Sequence, residues 1–167
     1  MLDDSVVPGG ESIFAWEAID ANAVRITGFR KSGQKVSTLV IPDTIGGFPV
    51  TEIGDSAFAN SESGMKRLIL PRFCVNIGYA AFSGISSLKE IKFADVRKWS
   101  QPDTGAELAI GDYAFAGAGI LSVVLSETVG EIGDYAFADC SALAFVSFPK
   151  TLTEIGKGAF FGDAYLS

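Results

Sequence analysis

An α/β solenoid of short repeats is the fold this sequence predicts, on three observations. The phrase Ile-Gly-Asp-Tyr-Ala-Phe occurs twice unchanged, at Ile110–Phe115 and Ile132–Phe137, with looser copies at Ile53–Phe58, Ile77–Phe82 and Ile155–Phe160. Its closing phenylalanines, Phe58, Phe82, Phe115, Phe137 and Phe160, stand 24, 33, 22 and 23 residues apart, a step typical of stacked repeats. Between phrases runs a β-rich stretch of the form L-x-x-I-x-L. No single repeat buries enough apolar surface to offset the entropy of ordering it, so the repeats must stack.

The chain divides into an N-terminal cap, residues 1–35, and a solenoid, residues 36–167, of about five repeats with the last incomplete. In the cap, Ile13–Ile19 and Ala23–Phe29 alternate in polarity around Asp20-Ala21-Asn22, which reads as a β-hairpin shielding the first core layer. A β-rich run, Val36–Ile41, ends at Pro42, and a loop through Gly46-Gly47 leads to the first phrase.

The repeat strands are Met65–Leu70, Leu88–Phe93, Ile120–Leu125 and Leu143–Phe148. Alternation turns inward Met65, Leu68 and Leu70, then Leu88, Ile91 and Phe93, then Ile120, Val123 and Leu125, then Leu143, Val146 and Phe148. Cys74, Val129 and Leu152 follow as further inward positions, and Cys74 and Cys140 read as buried free thiols. The glycine of the phrase permits a backbone turn. Asp55, Asp112 and Asp134 stand where a short helical turn would start, as caps. An insert near residues 94–106 accounts for the one long step.

Composition excludes several functions. The net charge of −7 and the lack of a basic run argue against nucleic-acid binding, and no apolar run is long enough to cross a bilayer. With no histidine, the commonest general base and most zinc sites are gone. No nucleophile elbow or phosphate loop is present, so neither an enzyme nor a cofactor is expected. The row Glu52, Glu131 and Glu154 matches no calcium loop, and Asn76 and Ala109 interrupt it. Met1-Leu-Asp-Asp-Ser lacks the basic start and apolar stretch of an export signal. That leaves a cytosolic protein, or one whose export signal has been removed.

The full pattern, L-x-x-I-x-L-P and then V-x-x-I-G-x-x-A-F, resembles the bacterial BspA-like leucine-rich repeats. The lead-in Ala23–Phe29 and the segment Val40–Gly54 are also similar to that family, so the likeness runs from about Val24 to the end. It implies a right-handed leucine-rich-repeat solenoid, with a parallel strand from each repeat on one face and short helical turns or loops on the other. It also implies a non-catalytic recognition or adhesion module of a bacterial surface or secreted protein.

Such a module would bind a protein ligand, for instance a host surface or matrix protein, through its strand face. Outward rows there are Val40, Ile69, Lys92, Val124, Ser147 and Thr38, Arg67, Glu90, Ser122, Phe145. Arg67, Ile69, Glu90, Lys92, Val124 and Phe145 are the expected contacts, set against the alternative that they are ordinary strand residues chosen for β propensity. Trp99, flanked by Arg97 and Lys98 in the insert, either anchors a partner or folds back as a lid. Leu166 falls six residues after Phe160, as Leu88 follows Phe82, so another strand is due there. An open last repeat would favour self-association or a longer chain. The alternative function is a spacer with no ligand of its own.

Overall fold

The chain winds as a parallel-strand β-solenoid, described in a computed structural model over residues 6–7, 11–93 and 107–166. Val6–Val7 (β1) and Glu11–Ser12 (β2) pair antiparallel. Phe14–Ala18 (β3) and Val24–Phe29 (β4) form a hairpin whose turn is fixed by the Asn22 N–H donating to Asp20 Oδ1 at 2.6 Å. Beyond it, Thr44–Ile45 (β6) folds back antiparallel on Phe48–Ile53 (β7). From there on, strands pair only in parallel among the described residues.

Each repeat contributes to three sides. The first carries Thr38–Val40 (β5), Arg67–Ile69 (β8), Glu90–Lys92 (β10), Ser122–Val124 (β12) and Phe145–Ser147 (β14). Their middle residues Leu39, Leu68, Ile91 and Val123 are buried. The second side is a longer sheet in the order β3, β4, β7, Asn76–Ile77 (β9), Leu108–Ile110 (β11), Val129–Ile132 (β13) and Glu154–Ile155 (β15). Its inward row, Ile26, Ile53, Ile77, Ile110 and Ile132, is shut off from solvent. The isoleucine of the phrase is therefore a strand residue.

The third side is made of turns, and here the sequence-based expectation fails. Among the described residues there is no helix, so the α/β class with helical turns is corrected to an all-β solenoid. The fourth residue of each phrase, Ser56, Ala80, Tyr113, Tyr135 and Gly158, has φ between 51 and 61°. A left-handed residue cannot continue a right-handed helix. What forms is a β-turn closed by the Ala57, Ala81, Ala114 and Ala136 N–H groups donating back to the phrase glycine's carbonyl. The remaining N–H groups reach across to the next repeat: Phe58 to Ala81 O, Phe82 to Ala114 O, Phe115 to Ala136 O and Phe137 to Ala159 O, at 2.7–2.8 Å.

Aspartate and glycine both act between repeats, not within one. Asp55 Oδ1 accepts the Tyr79 N–H at 2.9 Å, Asp112 Oδ1 the Asp134 N–H at 2.7 Å, and Asp134 Oδ1 the Lys157 N–H at 2.6 Å. Gly78 and Gly133 do not hold positive φ; a Cβ on Gly133 would sit 2.7 Å from Asp112 N, and one on Gly78 2.8 Å from Asp55 N. Glycine is there because the preceding repeat leaves no room.

In the middle of the three sides, Phe58, Phe82, Phe115, Phe137 and Phe160 stack in one column, with centroids 5.2–5.4 Å apart and planes within 12°. Phe14 and Phe29 close the column at the hairpin end. At the other end, Phe148 lies edge-on to Phe160 but is 49% exposed, standing in the last layer that the described residues form. It was expected to be inward, like the buried Leu125 one repeat earlier. Leu152 is partly exposed for the same reason. Cys74 and Cys140 are free and buried, and desolvation pushes both thiols up to about 12.

Candidate recognition face

The outward rows read from the sequence fall in register. Thr38 lies opposite Arg67 and Arg67 opposite Glu90; Val40 lies opposite Ile69 and Ile69 opposite Lys92. Ser122 lies opposite Phe145 and Val124 opposite Ser147. The face is nevertheless two panels and not one sheet of five strands. Among the described residues no ladder joins β10 to β12, where the nearest bond is a long one, Leu121 N–H to Lys89 O at 3.4 Å. The break coincides with a shorter connection: five residues separate Phe115 from inward Ile120, against six from Phe82 to Leu88 and from Phe137 to Leu143.

The first panel is charged, and its charges answer one another. Arg67 Nε donates to Glu90 Oε2 at 2.7 Å, and Lys92 Nζ lies 3.7 Å from the other carboxylate oxygen. The Arg67 bond, slightly opposed by desolvation, holds the Glu90 carboxyl below its ordinary range. Ile69, half-buried on the same strand as Arg67, lies between Val40 of β5 and Lys92 of β10.

The second panel is apolar. Val124 is 64% exposed and Phe145 55%, on diagonal positions of paired strands. Leu121 adds a further exposed side chain at the head of β12. It was not among the expected contacts, although the L-x-x-I-x-L pattern with Ile120 inward already puts Leu121 outside. Trp99 and the insert near 94–106 lie outside the described residues.

What such a face can offer is area and charge pattern. Against that geometry, the sequence model of the BspA type leucine-rich repeat region matches residues 24–101 and 108–166, in six copies. The chain belongs to the BspA-type leucine-rich repeat family. That match starts at β4 and counts one copy more than the phrase does, since the lead-in segment lacks the Ala-Phe pair.

Solved structures of leucine-rich repeat proteins show the same fold. A Treponema (T. pallidum) leucine-rich repeat protein is 23% identical, covering 97% of this chain and 91% of its own, with a TM-score of 0.55. The pneumococcal vaccine antigen PcpA is 20% identical over 89% of this chain and 45% of its own, TM-score 0.62. A leucine-rich cell surface protein from Faecalibacterium prausnitzii is 21% identical over 94% and 52%, TM-score 0.59. This chain thus spans about half the length of the last two. No curated protein matches it in sequence. BspA-type repeats make a protein-interaction module of this chain, and no helix among the described residues is long and apolar enough to cross a membrane.

Proposed function

We propose that this protein is a non-catalytic recognition module, carried on or released from a bacterial surface, that binds a protein ligand through its strand face. The observation carrying this reading is the exposed pair Val124 and Phe145, with Leu121 beside it, next to a fixed charge pattern at Arg67, Glu90 and Lys92. Apolar anchors rimmed by oriented charges are how stable protein contacts are built. A cell-surface relative of the same fold supports the location. A host surface or matrix protein is the ligand class this suits.

The test is adhesion of beads carrying the protein to a panel of purified matrix and cell-surface proteins. Retention by at least one, weakened about tenfold in Val124→Ser/Phe145→Ser, is expected. Retention indifferent to those substitutions would move the site elsewhere. A second reading, a spacer in a longer protein, draws on the same trio, since Arg67, Glu90 and Lys92 already satisfy one another. It expects no retention at all.

A further inference from the structure

A second row of side chains, exposed except for the half-buried Tyr135, lies on the turn side, away from the strand face. Tyr79, Tyr113, Tyr135 and Phe161 come from successive repeats, with ring centroids 5.7, 5.2 and 6.5 Å apart. The middle pair is stacked at 14°, and the outer contacts are edge-on. Tyr79 is 53% exposed and Phe161 66%.

Repetition alone does not explain the row. Tyr113 and Tyr135 are the fourth residue of their phrases, Tyr79 is the third of its own, and Phe161 follows the last residue of its phrase. Duplication would put like residues at like positions, whereas this ladder is assembled from three unlike ones. The fourth position also has left-handed φ, 57° at Tyr113 and 55° at Tyr135, where a bulky side chain is disfavoured. Ser56, Ala80 and Gly158 fill it elsewhere in this chain.

Three of the four rings, Tyr113, Tyr135 and Phe161, stand in the acidic part of the protein. From residue 107 onward eight carboxylates face two lysines, Lys150 and Lys157, giving −6; the residues before carry 12 acidic and 11 basic groups, giving −1, for the total of −7. Asp112 and Asp134 immediately precede the stacked tyrosines, are exposed, and each commits only Oδ1 to a neighbouring amide. Partial desolvation, then the phenols of Tyr135 and Tyr79 and the charges of Asp112 and Asp134, raise the Tyr113 phenol above its ordinary value. Rings and carboxylates form one electrostatic cluster.

We propose that the Tyr79–Tyr113–Tyr135–Phe161 row is a second docking surface, and that its occupant is an extended, arginine-bearing polypeptide segment. A guanidinium packs against aromatic rings and donates to phenol and carboxylate oxygens at once, which an ammonium does less well. The −6 half supplies the charge complementarity. Alternate side chains of an extended chain fall about 6.6 Å apart, which matches the Tyr135–Phe161 spacing of 6.5 Å.

The experiment is fluorescence anisotropy with a labelled arginine–glycine repeat peptide. Binding that weakens with salt is expected, reduced about tenfold in Tyr113→Ser/Tyr135→Ser and unchanged in Val124→Ser/Phe145→Ser. Serine is what the chain itself places at residue 56, and Tyr79→Ala/Phe161→Ala, at the exposed ends, should reproduce the loss should the first variant fold poorly. Absence of binding, or binding indifferent to both ring variants, would overturn the proposal; the latter would leave charge attraction alone. A neutral β-glucan oligosaccharide that displaces the peptide would overturn it too. Failure of the strand-face reading leaves this test untouched, because the two use different residues.

Discussion

Asp112 and Asp134 occupy the same place in adjacent repeats, and the Oδ1 of the first accepts the backbone N–H of the second at 2.7 Å. Asp134 passes the same bond to Lys157, and Asp55 makes it to Tyr79, so the aspartates of the phrase each clasp the next repeat. Replacing Asp112 by alanine removes an acceptor, not a helix cap, and should cost about 0.5–1.5 kcal/mol. Hydrogen exchange tells the two roles apart. It should quicken at Asp134, not at the amides of Asp112's own turn, and Asp112→Asn should recover most of the protection.

The close fit of Gly133 against that clasp sets a second expectation. Its would-be Cβ meets Asp112 N at 2.7 Å and Gly111 C at 2.8 Å, backbone atoms that a rotamer change cannot clear. Gly133→Ala should destabilise by about 1–3 kcal/mol in urea denaturation, although its φ is one alanine adopts freely.

The phenylalanine column should show a gradient along its length. Phe115 is wholly buried between Phe82 and Phe137, whereas Phe160 is only partly covered. Phe115→Ala should cost about 3–5 kcal/mol and Phe160→Ala distinctly less, measured by chemical denaturation. Equal costs would contradict the column's open end.

Asp163 gives a pH dependence. It stands third after Phe160, where Ser61, Ile85, Ala118 and Cys140 stand third after their own phenylalanines. Both its carboxyl oxygens are cut off from water, with only a weak interaction from the Cys140 backbone to offset that. Desolvation, aided by the Asp139 charge and opposed by the Cys140 backbone, raises it to about 6. A carboxyl raised on folding favours the protonated form. Its contribution is fully present below its ordinary range and is lost as pH climbs through about 6. Thermal stability should therefore fall between those limits, and Asp163→Asn should flatten that part of the profile.

These residues also show what the sequence could tell. Leu68, Ile91 and Val123 alternate with exposed neighbours inside recognisable strands, so their inward side and the rows of Arg67 and Val124 were legible. The second sheet was not, because strands of two residues, such as Asn76–Ile77 and Glu154–Ile155, are too short to alternate and take their register from neighbours. Asp followed by Ala reads as a helix start. Only the positive φ at Tyr113 and its equivalents rules that out, and tyrosine gives no hint of it. On the strand face, Val124, Phe145 and Leu121 stand at outward positions of the strand pattern, while the Tyr79–Phe161 ladder depends on shifts that a repeat alignment hides.

The strand-face claim is tested most directly by photocrosslinking. Phe145→p-benzoylphenylalanine, irradiated against the panel of matrix and cell-surface proteins, is expected to give a covalent adduct with the protein that retains the beads. No adduct from residue 145, with efficient capture from the same group placed at Tyr113, would contradict recognition through the strand face.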